Sequence, residues 1–190
     1  MPQRITAALT RRRFGGAVLL LAGLIVAAIV LWPGGSDTKA VKPLPVRIVS
    51  VPPLGLGFAH PRKWSRAVSG ETIRLTSPDN SLILIFSSPF DRPGAGFAKH
   101  EAKTALLKRF APARIVHEGR SPLGRAGNVR SFELVGERDE NFVRALVYVT
   151  ATKWRTYVVT MLTGENPSKR TLSGARRILG TVNVSKPRKI

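Results

Sequence analysis

The chain has 190 residues, no cysteine, 43% hydrophobic residues, and 31 Lys and Arg against 11 Asp and Glu, which gives a net charge of +20. This composition excludes collagen-like, disulfide-framed and wholly disordered proteins. It also excludes a polytopic transporter, because only one apolar run is long enough to span a bilayer.

That run, residues 14–32, is the first predicted element. It contains no charged or amide side chain, and as a helix it would be roughly 28 Å long, close to the hydrocarbon thickness of a membrane. A basic arm, residues 1–13, precedes it, so the positive-inside rule predicts a cytoplasmic N-terminus and an exported remainder. The residues that set this topology are Arg11, Arg12 and Arg13.

The apolar run leaves three interpretations open: a retained signal anchor, a cleaved secretory peptide and a buried core helix. We favour the anchor, because the apolar part of a cleaved peptide is usually only about 7–15 residues long. Thr10 to Phe14 also resembles the twin-arginine export signal. A plain basic flank explains the same arginines, so the choice between the Sec and twin-arginine routes stays open.

The exported part keeps a large positive charge. Beyond residue 13 the chain holds 27 basic and 11 acidic residues, a net charge of +16. Such a charge attracts polyanions, among them anionic wall polymers and acidic lipid head groups. An ordinary solvated surface is the alternative explanation. Nucleic acid is not an expected partner, because the predicted topology places the domain outside the cytoplasm.

Three regions follow the predicted span. Residues 33–55 form a Gly- and Pro-containing linker, in which Val46 to Val51 is either a short strand or an extended part of the linker. Residues 56–184 form the exported domain, which is long enough for a core without disulfides. Residues 185–190 form a basic tail.

Inside the domain the hydrophobic period is mostly two, which predicts strands. Strands at 71–76 and 82–86 flank the turn sequence at 77–80 and form a hairpin. Further strands are predicted at 129–135, 142–149 and 154–162, and the short link at 151–153 makes the last two another antiparallel hairpin.

Two segments have helical spacing instead. In the first, from Phe97 to Phe110, one face carries Ala98, Ala102, Ala105 and Leu106. In the second, from Pro167 to about Leu179, the apolar stripe is Leu172, Ala175, Ile178 and Leu179. Its opposite face carries the candidate anion-binding residues Lys169, Arg170, Arg176 and Arg177. The fold class that follows is α+β, an antiparallel sheet covered by helices.

The opening of the domain, Gly57-Phe58-Ala59-His60-Pro61-Arg62-Lys63-Trp64, resembles the PsbP-like and DcrB-like exported domains. The strand pair around Ser77-Pro78-Asp79, the stretch 123–127 and the closing hairpin and helix keep the same order. The resemblance covers about residues 57–182 and implies an α/β/α sandwich around an antiparallel sheet. It implies little about chemistry.

No motif points to catalysis, a cofactor or a metal. The three histidines, His60, His100 and His117, fall in different elements without ligand spacing, and His60 is expected in a turn or at a strand edge. Glu137, Asp139 and Glu140 are expected at a solvated hairpin tip. We therefore expect a membrane-anchored, non-catalytic docking module for an envelope protein or an anionic envelope component. The alternatives are a small-ligand carrier or enzyme that uses a pocket between sheet and helices, and a cytoplasmic nucleic-acid-binding domain.

Overall fold

A computed structural model describes residues 45–90 and 94–188 of the chain. The helices are α1, Ala95–Arg109, and α2, Lys169–Gly180. The strands are β1 Val46–Val51, β2 Leu56–Pro61, β3 Ser65–Ser69, β4 Thr72–Thr76, β5 Leu82–Phe90, β6 Ala113–Pro122, β7 Asn128–Arg138, β8 Asn141–Ala151, β9 Thr156–Thr163 and β10 Asn183–Val184.

Seven strands form one antiparallel sheet in the order β3-β4-β5-β9-β8-β7-β6. Both predicted hairpins are present, since β4 pairs with β5 across the turn at 77–80 and β8 pairs with β9 across the link at 152–155. Glu137, Asp139 and Glu140 lie at the tip of the β7–β8 hairpin, as predicted, and the last two adopt positive φ angles. The α+β fold class is therefore confirmed.

A second sheet contains three strands in the order β1-β2-β10. It corrects the predicted linker of residues 33–55, because β1 pairs along its whole length with β2, and both Val49 and Leu54 are buried. The Tyr157 hydroxyl donates a 2.7 Å hydrogen bond to the carbonyl of Leu54. Residues 45–55 therefore belong to the folded domain.

The C-terminal residues are also part of this sheet region. The amides of Ser185 and Arg188 donate to the carbonyls of Gly55 and Pro52 at 2.7 and 2.8 Å. The predicted tail, residues 185–190, is thus hydrogen-bonded to the domain as far as residue 188.

The two helices cover opposite faces of the large sheet. Val147 and Val149 of β8 pack in a cluster with Ala98 and Leu106 of α1. Tyr148, between them in the strand, belongs to the cluster that contains α2 and the small sheet. Because successive side chains of a strand point to opposite faces, the domain has three layers: α1, the large sheet, and an outer layer built from α2 with β1, β2 and β10.

The helix predictions hold with one correction. In α2, Ala175, Ile178 and Leu179 are buried and Leu172 is half-buried, as the stripe predicts. In α1, Ala105 is exposed although it was expected on the buried face. The helix packs on the sheet through Ala95, Ala98, Ala102, Leu106 and Leu107, so its contact face is turned away from Ala105.

The predicted basic arm at 1–13, the predicted span at 14–32 and the linker up to residue 44 lie outside the described residues. Neither of the helices within residues 45–90 and 94–188 has the length and hydropathy of a membrane span. The transmembrane prediction therefore stays a prediction.

Candidate anion-binding surface

The outer layer is held together by contacts between α2 and β2. Near its C-terminal end the helix is fixed by Thr181, whose Oγ1 accepts a 2.9 Å hydrogen bond from the amide of Ala59. At its centre it meets Trp64, because a Cβ built on Gly174 would lie 3.2 Å from the Trp64 indole. The helix therefore runs beside β2, in the same layer as the small sheet.

The start of α2 is held by the turn between β4 and β5. Ser168 caps the helix by accepting a 3.1 Å hydrogen bond from the amide of Thr171. The carboxylate of Asp79 accepts hydrogen bonds from the hydroxyls of Ser77, Ser81 and Thr171, at 2.6, 2.9 and 2.6 Å. These bonds, those from Ser77 and Thr171 above all, hold the pKa of Asp79 well below its usual range.

The structure brings the four predicted anion-binding residues together on one exposed face of α2, opposite its buried stripe. Lys169, Arg170, Arg176 and Arg177 are all exposed. None of them forms a salt bridge with an acid in the described part of the chain. By contrast, Lys99 and Lys103 of α1 share the carboxylate of Glu118. The α2 cations are thus free to meet an external anion.

The rest of the outer layer is basic as well. Residues 45–70 and 166–188, which build this layer and the adjoining edge strand β3, contain no Asp or Glu. The nine acids among the described residues all lie between Glu71 and Glu165. The two acid-free segments carry ten basic residues, namely Arg47, Arg62, Lys63, Arg66, Lys169, Arg170, Arg176, Arg177, Lys186 and Arg188.

Helical spacing identifies only four of those ten residues, the cations of α2. The signal that identifies the other six is the absence of acids from both segments. Each acid-free segment is visible in the sequence, but the two lie far apart along the chain. Only the packing of α2 against β2 places the two segments in one layer.

The histidine expected in a turn or at a strand edge is a core residue instead. His60 lies on β2, the middle strand of the small sheet, and is 2% exposed, because it follows Leu56 and Phe58 on the face turned toward the core. Burial is the main cause that lowers its pKa, and Arg66 and Arg47 lower it further. A hydrogen bond with the Pro61 carbonyl acts in the opposite direction.

The described residues offer few other groups that could bind a metal or a small ligand. They contain no group of three or more His, Asp or Glu that could hold a metal. A cavity of about 250 Å³ lies between the small sheet and the C-terminal residues, where Lys186 and Arg188 line it. A second, of about 310 Å³, lies at the β6–β7–β8 edge beside Phe142. Neither lies between the large sheet and a helix.

Comparison with known proteins supports the fold and not a function. No family model matches the sequence, and no curated protein matches it. A crystal structure of a protein from Bacteroides thetaiotaomicron VPI-5482 superposes with a TM-score of 0.52 at 12% identity. The match covers 74% of this chain and 48% of that one, so the chain spans about half the length of that structure.

Two further similar structures have lower scores. The solution structure of cyanobacterial PsbP (CyanoP) from Synechocystis sp. PCC 6803 has a TM-score of 0.48 at 12% identity, over 77% of this chain and 96% of that one. A variant of the protein Mog1 has a TM-score of 0.45 at 8% identity, over 72% and 87% of the two chains. A PsbP protein is thus among the similar structures, whereas membership of the PsbP-like family stays a prediction.

Proposed function

We propose that this protein is a membrane-anchored, extracytoplasmic docking module with a PsbP-like domain that binds an anionic component of the cell envelope and catalyses no reaction. In this proposal, residues 14–32 hold the chain in the membrane with the N-terminal arm in the cytoplasm. The exposed face of α2 is the binding surface.

The observation that carries the proposal is the set of four cations on α2 that have no acidic partner in the described residues. Lys169, Arg170, Arg176 and Arg177 lie on a helix that contains no acid. They lie in a layer whose two chain segments also contain none. The one carboxylate bonded to α2 among the described residues is that of Asp79, at the start of the helix. Four cations outweigh that single charge, so their combined field attracts a polyanion, and each guanidinium can bind a phosphate or carboxylate through two parallel hydrogen bonds.

A binding assay with the full chain in neutral-lipid nanodiscs tests this surface. The probe is inorganic polyphosphate, and the variant carries Lys169→Gln, Arg170→Gln, Arg176→Gln and Arg177→Gln. We expect its affinity to fall roughly a thousandfold, since each of the four cations contributes on the order of 1 kcal/mol near an anionic surface. The binding of the unsubstituted chain should also weaken steeply with added salt.

The matched control removes the same number of lysine and arginine charges from the face of the large sheet that α1 covers. It carries Lys108→Gln, Arg109→Gln, Arg120→Gln and Arg130→Gln, four exposed residues on α1, β6 and β7. The proposal is contradicted if both variants lose affinity equally, or if the unsubstituted chain binds polyphosphate only in a salt-independent way.

The location of the domain is tested with one thiol, because the chain has no cysteine. Thr104 is exposed on α1, on the opposite side of the large sheet from the proposed binding surface. We expect Thr104→Cys to react with a membrane-impermeant maleimide on intact cells. If this thiol reacts only after lysis, while a thiol placed near the N-terminus reacts before lysis, the topology is the reverse of the one proposed.

A further inference from the structure

The outer layer presents apolar side chains next to its cations. On β1, Ile48 is 82% exposed and Val46 is 53% exposed, whereas Val49 is buried against the core. Because side chains alternate along a strand, Val46 and Ile48 point away from the large sheet. The cationic face of α2 is opposite its buried stripe, so it points the same way.

The apolar and basic groups are adjacent in the layer. The order across it is β1, then β2, then α2, because β1 pairs with β2 and α2 is bonded to β2 through Ala59 and Thr181. At one end, the amide of Arg62 donates to the carbonyl of Pro45 at 3.1 Å. The basic pair Arg62 and Lys63 therefore lies between the point where the chain enters the domain and α2.

This combination matches one kind of partner better than others. Proteins that rest on a bilayer place basic residues against anionic head groups and insert a few apolar side chains into the boundary between head groups and acyl chains. A soluble anionic polymer would match the cations but offers nothing to an isoleucine that is 82% exposed. We propose that the outer layer docks flat on a bilayer surface rich in anionic phospholipid, with the cations of α2 at the phosphates and Val46 and Ile48 in the interface.

This inference rests on the proposed function, since it names the anionic component as the head groups of phospholipids. It also gives the domain an orientation, in which the outer layer faces the lipid and α1 faces away from it. The entry of the chain at Pro45, beside Val46 and Arg62, is compatible with that orientation.

The test uses the full chain in nanodiscs that carry nitroxide-labelled head groups, made of phosphatidylcholine alone or with phosphatidylglycerol. A fluorophore is attached through Ser173→Cys on α2 or, as control, through Thr104→Cys, an exposed position on α1. We expect quenching at position 173 only when phosphatidylglycerol is present, and release of that quenching by salt. No quenching is expected at position 104.

A second variant separates the apolar contribution from charge. Val46→Thr with Ile48→Thr keeps β-branched residues in β1 but removes apolar contact, and we expect the ratio of docked to undocked domain to fall about tenfold. Binding of polyphosphate should be unchanged. The control Val116→Thr, at a valine of β6 that is 44% exposed, should leave docking unchanged.

The outcomes distinguish the two proposals. If the chain binds polyphosphate through α2 but position 173 is not quenched by phosphatidylglycerol nanodiscs, the bilayer inference fails and the proposed function stands. If neither occurs, both fail. Equal quenching at positions 173 and 104, or docking that is unaffected by the double threonine variant, would also overturn the inference.

Discussion

Thr171 Oγ1 donates a 2.6 Å hydrogen bond to Asp79 Oδ2, although 92 residues separate them in the chain. The contact joins the tight turn of the β4–β5 hairpin to the first turn of α2. One carboxylate thus completes the turn through Ser77 and Ser81 and fixes the start of the basic helix. The position of the proposed binding surface depends on that carboxylate.

Asp79→Asn should therefore destabilise the domain, by about 1–2 kcal/mol at neutral pH, because charged acceptors form the stronger hydrogen bonds. The folded-state pKa of Asp79 is depressed below its ordinary value of 3.8, so its contribution is present above that value and is lost as the pH falls below it. Urea unfolding at pH 7 and pH 3 measures both effects. An Asn variant that loses as much stability on acidification as the unsubstituted chain would contradict this role.

Gly174→Val should loosen α2 from β2. A Cβ at this position would lie 3.2 Å from the Trp64 indole, so the larger side chain must displace the ring or the helix, at a cost of about 1–3 kcal/mol. Urea unfolding gives the change in free energy, and a red shift of tryptophan emission reports exposure of the indole. The control is Gly96→Ala on α1, where a Cβ meets nothing within 4 Å and should stabilise the helix by about 0.5–1 kcal/mol.

Tyr157→Phe tests whether residues 52–55 belong to the fold. Its hydroxyl bonds the Leu54 carbonyl in the core, so its removal leaves a buried acceptor without a partner and should cost about 1–3 kcal/mol. Tyr148→Phe is the control, because the Tyr148 hydroxyl has no hydrogen-bond partner among the described residues; we expect a change within about 0.5 kcal/mol. Equal effects of the two substitutions would argue against docking of the segment.

Acidification below neutral pH should weaken the small sheet through His60. Burial lowers its folded-state pKa below 6.5, so the fold favours the neutral ring, and stability falls as the pH drops below 6.5 because the unfolded chain takes up the proton first. We expect His60→Asn to flatten the dependence of unfolding free energy on pH between about 7 and 5. The control is His100→Asn, at an exposed histidine, which should leave that dependence unchanged. If His60→Asn also leaves it unchanged, His60 is not the cause of the pH dependence.

Local features of the domain follow from the sequence because their causes are local. The turn chemistry at 77–80 predicts the first hairpin, and the apolar stripe of α2 with its opposite cations follows from helical spacing alone. The Ala105 prediction is wrong because helical spacing shows which residues share a face but not how the helix is rotated against the sheet, and the packed face includes Leu107 and not Ala105.

The tertiary structure decided the rest. A short strand such as β1 has no signal that distinguishes it from a linker until β2 is known to pair with it, and His60 is buried only because α2 and the small sheet close over the large one. The two acid-free segments are likewise readable in the sequence, at residues 45–70 and 166–188. They become one basic and apolar surface only because Thr181 is hydrogen-bonded to Ala59 and Gly174 lies against Trp64. Such contacts between distant segments are set by packing and not by local sequence pattern.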